Sequence, residues 1–556
     1  KIKAREKKTI THRLETLEVT AELKDADGNT VRIEINVDNP NRITITPEKD
    51  VVNGTIVVNG KKERSQPIMQ IIAEYFTRIS TGLQNVNLTY NEDRGSILNG
   101  YTPDAQYFLG TSQKYNAPGW GYLLGFTSQD FIERAIESQW LSRNIDQSIV
   151  NPYTLTFARR ITMKAVIEPL PNLQITLDWM HNSTSNQSKQ YYTVNGEYLQ
   201  ENGRYIAYNP QFQGNFTVSY LAINTSFQRI NKTTFRSKVI EDFLNNRRII
   251  AWEMAKARAA LVPGYNPGSN MNEFPLGYSE NNPDVLRQAF ILSFQGSNPY
   301  KFDKKPGSIV PSIFAAAPNW KIDYKGLTNI AFFKEYFRTI TINHSYTANL
   351  TVGAYQSNPD FIDVVGGYTT VMNIENTYFV PQFLANSIAF QESFNPLTGI
   401  NMTWKNGVNT GINFRKDRNV SLNLTNSTIT ELRNWDFSIR SGYTIKDVPI
   451  VFRTQGGRQQ KFVSNVNING DFSIRDNVTY SHRFSNSQSA ENSGNISERI
   501  AGKINYAFKI SAEYQFNKNL NLRGFYEHTI DNPYIATTFR TVRAKFGFSV
   551  NYRLTE

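Results

Sequence analysis

Residues 500–516 read IAGKINYAFKISAEYQF, with apolar side chains at every second position. Ile500, Ile504, Tyr506, Phe508, Ile510, Tyr514 and Phe516 share one parity, and Lys503, Asn505, Lys509, Ser511, Glu513 and Gln515 the other. Period two defines a strand with one apolar and one polar face. A link of hairpin length, Asn517-Lys518-Asn519, leads to Leu520, Leu522, Tyr526 and Ile530, which alternate with Asn521, Arg523, Glu527 and Thr529. After Asp531-Asn532-Pro533 a final run sets Val542, Phe546, Phe548, Val550, Tyr552 and Leu554 against Arg543, Lys545, Ser549, Asn551 and Arg553.

A half-buried sheet in a soluble sandwich would alternate in the same way. Three features favour a transmembrane β-barrel. The runs exceed the roughly 5–6 residues usual in globular sheets, the links are polar, and the last run is rich in aromatic residues. A strand needs about 9–11 residues to cross a bilayer and carries aromatic girdles at both interfaces.

Composition agrees. Hydrophobic residues make up only 39% of the 556 and mean hydropathy is −0.46, yet 35 Phe and 29 Tyr bring aromatics to 13%. Such a balance suits a barrel in which half of each strand faces a wet lumen. No apolar stretch reaches the about 18–20 residues of a membrane-crossing helix. Cysteine is absent, so no disulfide framework supports the fold and no thiol can act as nucleophile or ligand. The chain opens at Lys1 without Met and without a signal-peptide pattern, which reads as a processed or partial piece of a longer precursor.

The net charge of +12 could suit nucleic acid, but the cations are scattered in ones and twos, and only Lys1–Lys8 forms a dense run. A wet lumen or contact with anionic head groups of outer-membrane lipid accounts for such scatter better, and no nucleic-acid partner is expected.

In chain order, residues 1–65 read as a small β-module outside the membrane, with Leu17, Val19, Ala21 and Leu23 answered across Asp25–Asn29 by Val31, Ile33, Ile35 and Val37. Residues 66–229 open with helical spacing of Ile68, Ile71, Ile72, Tyr75, Phe76 and Ile79. The first barrel strands follow, interrupted by an excursion at about 95–150 in which Phe131, Ala135, Ile136 and Trp140 mark a short helix. The polar run HNSTSNQSKQ after Trp179 reads as a link between strands. Residues 230–320 read as an extracellular or lumenal insertion. Its helix over 238–261 presents Val239, Phe243, Ile249, Ile250 and Trp252, which could meet a partner; more ordinarily such a face packs on its own protein. Residues 321–556 read as regular barrel strands, including a hairpin at Asn406-Gly407. If the C-terminus is periplasmic, the short links at 517–519, 475–477 and 406–407 share its side, and 485–497 and 454–460 lie opposite.

Little chemistry of the catalytic kind is legible. His12, His181, His344, His482 and His528 lack metal-ligand spacing. Glu241-Asp242 and Glu92-Asp93 read as solvated surface, and no phosphate loop or nucleophile elbow is present. Asn-x-Ser/Thr at Asn87, Asn215, Asn349, Asn423 and Asn477 follows from Asn, Ser and Thr filling wet strand positions. No enzyme, cofactor or metal is expected.

The runs GYTIKDVPI (442–450), NVNINGDFSIRDNVTY (465–480), INYAFKISAEYQFNKNLNLRGFYEHTIDNPYIATTF (504–539) and FGFSVNYRL (546–554) resemble the C-terminal region of the SprA (Sov) family, the outer-membrane translocon of type IX secretion in the Bacteroidetes. NLTYNEDRGSILNGYTP (87–103) and NAPGWGYLLG (116–125) resemble the same family, so the likeness runs from about residue 81 to the end. The resemblance implies an all-β chain forming the C-terminal portion of a very large antiparallel transmembrane β-barrel with helical and loop insertions. It further implies that folded cargo with a C-terminal sorting domain crosses the lumen and leaves through a lateral opening. The implied partners are the N-terminal part of the same translocon chain, a PorV-like small barrel and a periplasmic plug protein, with energy supplied by inner-membrane motor components. It carries over no catalytic residue. A porin or receptor-type barrel and a secreted β-rich adhesin remain open at this stage. In the favoured reading the closing strand, with Phe546, Phe548, Val550, Tyr552 and Leu554, pairs with a strand outside residues 1–556 rather than with the strand near 83–90.

Overall fold

The computed structural model describes residues 2–14, 16–60, 82–114, 116–127, 131–143, 152–191, 193–194, 197–201, 204–205, 207–304, 307, 317–453, 457, 459–484, 496–516, 519–535 and 538–554. Residues 1–80 and 81–556 form two compact units. The helix expected over Ile68–Ile79 lies outside the described residues.

The first unit holds two three-stranded sheets. Its strands are β1 (Lys8–Thr11), β2 (Val19–Lys24), β3 (Thr30–Val31), β4 (Ile33–Asn39), β5 (Arg42–Pro47) and β6 (Thr55–Gly60). The hairpin across Asp25–Asn29 forms, but only β3 answers β2. The rest of the expected partner run bends away as β4 and pairs with β5, Ile35 opposite Ile45. Leu23, Ile43, Ile45 and Val51 are the buried apolar residues of this unit.

The second unit is built on one 14-stranded antiparallel sheet. Its first strands are β7 (Leu83–Ile97), β8 (Tyr153–Leu170) and β9 (Leu173–Tyr191). The excursion between β7 and β8 carries α1 (Trp120–Leu123) and α2 (Phe131–Glu137). In α2, Phe131, Ile132, Ala135 and Ile136 are buried, beside Trp140. Beyond β9 come two small hairpins, β10 (Thr193–Val194) with β11 (Glu197–Tyr198) and β12 (Gln200–Glu201) with β13 (Arg204–Tyr205). The sheet resumes with β14 (Ala207–Ser219). An insertion then carries α3 (Lys238–Ala259) and α4 (Pro283–Gln295) before β15 (Asn319–Tyr324). A short helix, α5 (Ala331–Tyr336), precedes β16 (Phe337–Ser357), and β17 (Phe383–Ala385) pairs with the end of β16. The meander continues through β18 (Ser387–Trp404), β19 (Asn409–Asn423), β20 (Thr428–Arg453), β21 (Gln459–Arg483), β22 (Ile496–Gln515), β23 (Leu520–Pro533) and β24 (Thr541–Tyr552).

β14 and β15 share one lane between β9 and β16. Ser219 of β14 pairs with Asn349 of β16, and three residues further along β16 Trp320 of β15 pairs with Tyr346, so the insertion interrupts a single strand. α4 is set by its ends: Asn282 Oδ1 accepts from the backbone N–H groups of Asp284 and Val285, Pro283 opens the first turn, and Gly296 closes the helix at φ 71°.

Two readings of links are corrected. Arg475-Asp476-Asn477 is no turn. These residues lie inside β21, paired with Asp436, Trp435 and Asn434 on one side and Asn505, Ile504 and Lys503 on the other. Turn-forming residue types here serve as ladder residues, because Arg475 meets Asp436 and Asp476 accepts from the Trp435 indole. With that turn removed, the β20–β21 connection, from Arg453 to Gln459, is made at the same end of the sheet as the β18–β19 and β22–β23 connections and not opposite them, whereas the β21–β22 connection, from Arg483 to Ile496, is made at the other end. HNSTSNQSKQ, expected as a link, is the second half of β9, paired with β8 and β14. It lacks an apolar parity because it runs through the part of the sheet where polar residues occupy both faces.

The two ends of the sheet differ. Turns at 171–172 and 405–408 mark a short-turn end, where β20 and β21 (Arg453 to Gln459) and β22 and β23 (Gln515 to Leu520) are also joined over short intervals. β7 and β8, β16 and β18, and β21 and β22 are joined at the opposite end over longer intervals, beside the four-residue turn at 424–427. This asymmetry is usual for membrane barrels.

Candidate lumen wall and apolar band

Strand register decides which side chains share a face, since directly paired residues point the same way. Thr341, Asn401, Gly411, Arg440, Asp471, Lys509 and Glu527 are successive cross-strand partners from β16 to β23. All seven line one cavity of about 650 Å³. A single cavity touched by seven neighbouring lanes requires the sheet to curl, with the polar face on the inside.

Charge on that face is paired. Arg440 meets Asp471 at 2.9 Å, Arg475 meets Asp436 at 2.8 Å, Lys503 and Arg543 converge on Asp531 at 3.0 and 3.3 Å, and Lys509 reaches Glu527 at 3.7 Å. Asn, Ser, Thr and Gly make up most of the rest of the cavity wall, with Arg523, Met402, Ile510 and Phe525 also lining it.

The opposite face is apolar. Phe414, Phe437, Ile474, Tyr506, Ile530 and Val542 follow one another across β19 to β24. One residue pair nearer the short-turn end, Phe472 and Phe508 pair directly, and both remain substantially exposed, as do Leu88 and Tyr90 on β7. Aromatic rings bound this band on both sides. Towards the short-turn end lie Phe337 and Trp404, 4.4 Å apart, with Tyr443 on β20. On the other side lie Trp320 against Tyr346 at 4.4 Å, Phe394 against Tyr346 at 4.9 Å, and Trp435. Phe394 and Trp404 are ten residues apart along β18, close to the about 9–11 residues with which a tilted strand crosses a bilayer.

Beyond the upper aromatic row the same face is covered. α3 and α4 pack Phe243, Ile250, Phe290 and Phe294 against Phe216, Leu350, Phe390, Leu422, Ile429 and Phe484 in one buried cluster. Phe290 lies 5.4 Å from Phe390, and Phe243 5.0 Å from Phe484. The insertion therefore sits on the face opposite the polar cavity.

Between aromatic row and helices runs a buried charged layer. Glu392 pairs across strands with Arg418, and Arg418 with Arg433. The Glu392 and Arg418 side chains are 2% and 3% exposed and meet at 3.0 Å. Arg418 also donates to the Thr225 carbonyl at 3.0 Å and its hydroxyl at 2.9 Å. Lys416 donates to the Ser226 carbonyl at 2.7 Å, and Arg433 to the Gln228 carbonyl at 2.6 Å. Tyr346 and Ser226 donate to the remaining Glu392 oxygen. The strands thus grip the first residues of the insertion through its backbone. Sequence reading passed over this layer, although its signal was present: Glu392 interrupts Ile388, Phe390 and Phe394 at the apolar parity of β18.

The residues singled out on the helix divide. Val239, Phe243, Ile250 and Trp252 are buried and Ile249 is half-buried, so their apolar character is accounted for within this chain. On β24, Phe546, Phe548, Val550 and Tyr552 share the apolar face and are exposed; Leu554 lies past the strand end. β24 and β7 are the two ends of the strand order, and among the described residues no pairing joins them.

The geometry defines a mostly antiparallel β chain with one large two-faced sheet. No protein-family model matches it, and no curated protein does so.

Proposed function

We propose that residues 81–556 form part of the wall of an outer-membrane β-barrel that conducts folded proteins. The observation that carries this reading is the pairing of opposites across one curled sheet: polar, charge-paired side chains inside, and exposed Phe, Ile and Tyr outside between two aromatic rows. A soluble sandwich buries its apolar face against a second sheet. Here that face is left open over the length of a membrane crossing.

The open strand order supports a wall larger than these strands. A porin would close by joining β24 to β7, whereas a translocon wall continues through further strands of the same chain. With the family resemblance, this favours type IX secretion, in which cargo with a C-terminal sorting domain passes the lumen, a PorV-like barrel and a periplasmic plug protein attend the opening, and the short-turn end faces the periplasm. No catalytic residue or cofactor is assigned.

A photoreactive label tests the conducting role. Placed at Asn469→Cys on the polar face in the native secretion apparatus, it is expected to crosslink to secreted cargo. At Phe472→Cys on the apolar face it is expected not to. Absence of cargo adducts at Asn469 during active secretion would overturn the translocon reading.

A further inference from the structure

The link between β15 and β16 at the short-turn end contains a feature the barrel wall does not need. In α5, with sequence AFFKEY, Phe332 is 65% and Tyr336 48% exposed, and Ile330 just before it is 47% exposed. A six-residue helix with exposed rings is unfavourable in water, since each ring gains by leaving it. The rings form a chain: Phe332 lies 5.6 Å from Tyr336 and 5.4 Å from Phe333, Phe333 lies 6.3 Å from Phe337, and Phe337 packs on Trp404. They extend the lower aromatic row away from the sheet.

Cationic residues lie beside this cluster in the chain and in the neighbouring turn. Lys325, Lys334 and Arg338 flank or lie on the helix, and Lys405 joins them from the β18–β19 turn, where Arg338 donates to its carbonyl at 3.0 Å. Glu335 is the one acid among residues 325–338. Exposed rings with cationic residues next to them match the membrane interface, where aromatics sit at headgroup level and Lys and Arg reach phosphate.

We propose that residues 330–338 with Trp404 and Lys405 form an interfacial anchor that seats on anionic phospholipid headgroups of the short-turn leaflet. This rests on the barrel reading above and adds a lipid class and a leaflet to it. The anchor is continuous with the apolar band, and its surplus of positive charge selects phosphatidylglycerol-like over zwitterionic lipid. It fixes the height of the wall at the short-turn end, where β15 gives way to β16.

The chain's lack of cysteine permits single-site labelling. The barrel with its full complement of strands, carrying Ala331→Cys as its single cysteine and labelled there with a polarity-sensitive dye, is reconstituted in phosphatidylcholine vesicles with and without phosphatidylglycerol. A second sample carries the dye at Phe508→Cys in the apolar band. The anchor reading expects the 331 label to be quenched by shallow lipid quenchers, more strongly with phosphatidylglycerol. Lys334→Glu should lower the ratio of seated to exposed label roughly five-fold. A water-exposed 331 label beside a lipid-quenched 508 label overturns the anchor and leaves the barrel. Equal quenching in both lipids, unchanged by Lys334→Glu, overturns the choice of anionic lipid. Water exposure at both positions overturns the barrel reading and the anchor with it.

Discussion

The Asn319 side-chain amide donates to Ser219 Oγ at 3.3 Å, across the point where the chain leaves and re-enters one lane of the sheet. Ser219 Oγ accepts from the Met180 N–H at 3.0 Å, and Asn319 Oδ1 accepts from the Ala348 N–H at 2.7 Å. Two side chains thereby replace backbone ladder bonds at the break in the strand. A buried N–H left without a partner costs about 1–3 kcal/mol. Asn319→Leu should therefore lower stability by about that amount, read as the urea midpoint in detergent micelles. An unchanged midpoint would show that the amide does not close the ladder.

The Glu392–Arg418 pair makes a sharper case, because both ends are buried. Arg418→Met strands a carboxylate in the charged layer, at a cost of about 3–5 kcal/mol. Hydrogen exchange across α3 should accelerate, since the grip on Thr225 is lost as well. Adding Glu392→Gln should restore part of the protection. Exchange in the double variant as fast as in Arg418→Met alone, or faster, would contradict a buried pair.

Phe290, on α4, is fully buried against Phe390 and Phe294. Truncation to Ala removes about 3–5 kcal/mol of packing. Exchange should rise together in α3 and α4 while β22–β24 keep their protection. A uniform rise over the whole sheet would mean that the insertion and wall unfold as one.

Acid should loosen the insertion at Glu253. The Lys304 ammonium, followed by Lys256, holds its carboxyl below the ordinary carboxylate value, and the side chain is 13% exposed. With the folded value depressed, the contribution is complete above the unfolded pKa and fades as pH falls through the folded one. Wild type should exceed Glu253→Gln in stability near neutral pH and converge with it in acid. A gap that widens on acidification would refute the pairing.

Much of the sheet was legible because a two-faced strand writes its exposure into every second residue. Ile504 to Tyr514, Phe546 to Tyr552, and Asn406-Gly407 all read correctly, and α3 showed in the absence of Gly and Pro over 238–259. What escaped was long-range. The β14–β15 lane is formed by segments separated by the whole insertion, and nothing local in Ser219 or Asn319 announces their contact. Arg475-Asp476-Asn477 misled because turn residues and polar ladder residues are the same types. Glu392 and Arg418 are charges at apolar parity, a detectable irregularity whose partner, the backbone of 225–228, no sequence pattern specifies.

Membrane insertion of the sheet is measured most directly by labelling neighbouring positions of β22 in the reconstituted chain. Phe508→Cys and Ile510→Cys carry a label on the apolar face; Lys509→Cys and Ser511→Cys carry it on the polar face. The expected result is strict alternation, with 508 and 510 quenched from lipid and 509 and 511 from water. Equal access from water at all four positions, or lipid contact at 509 and 511, would contradict a barrel wall with a polar interior.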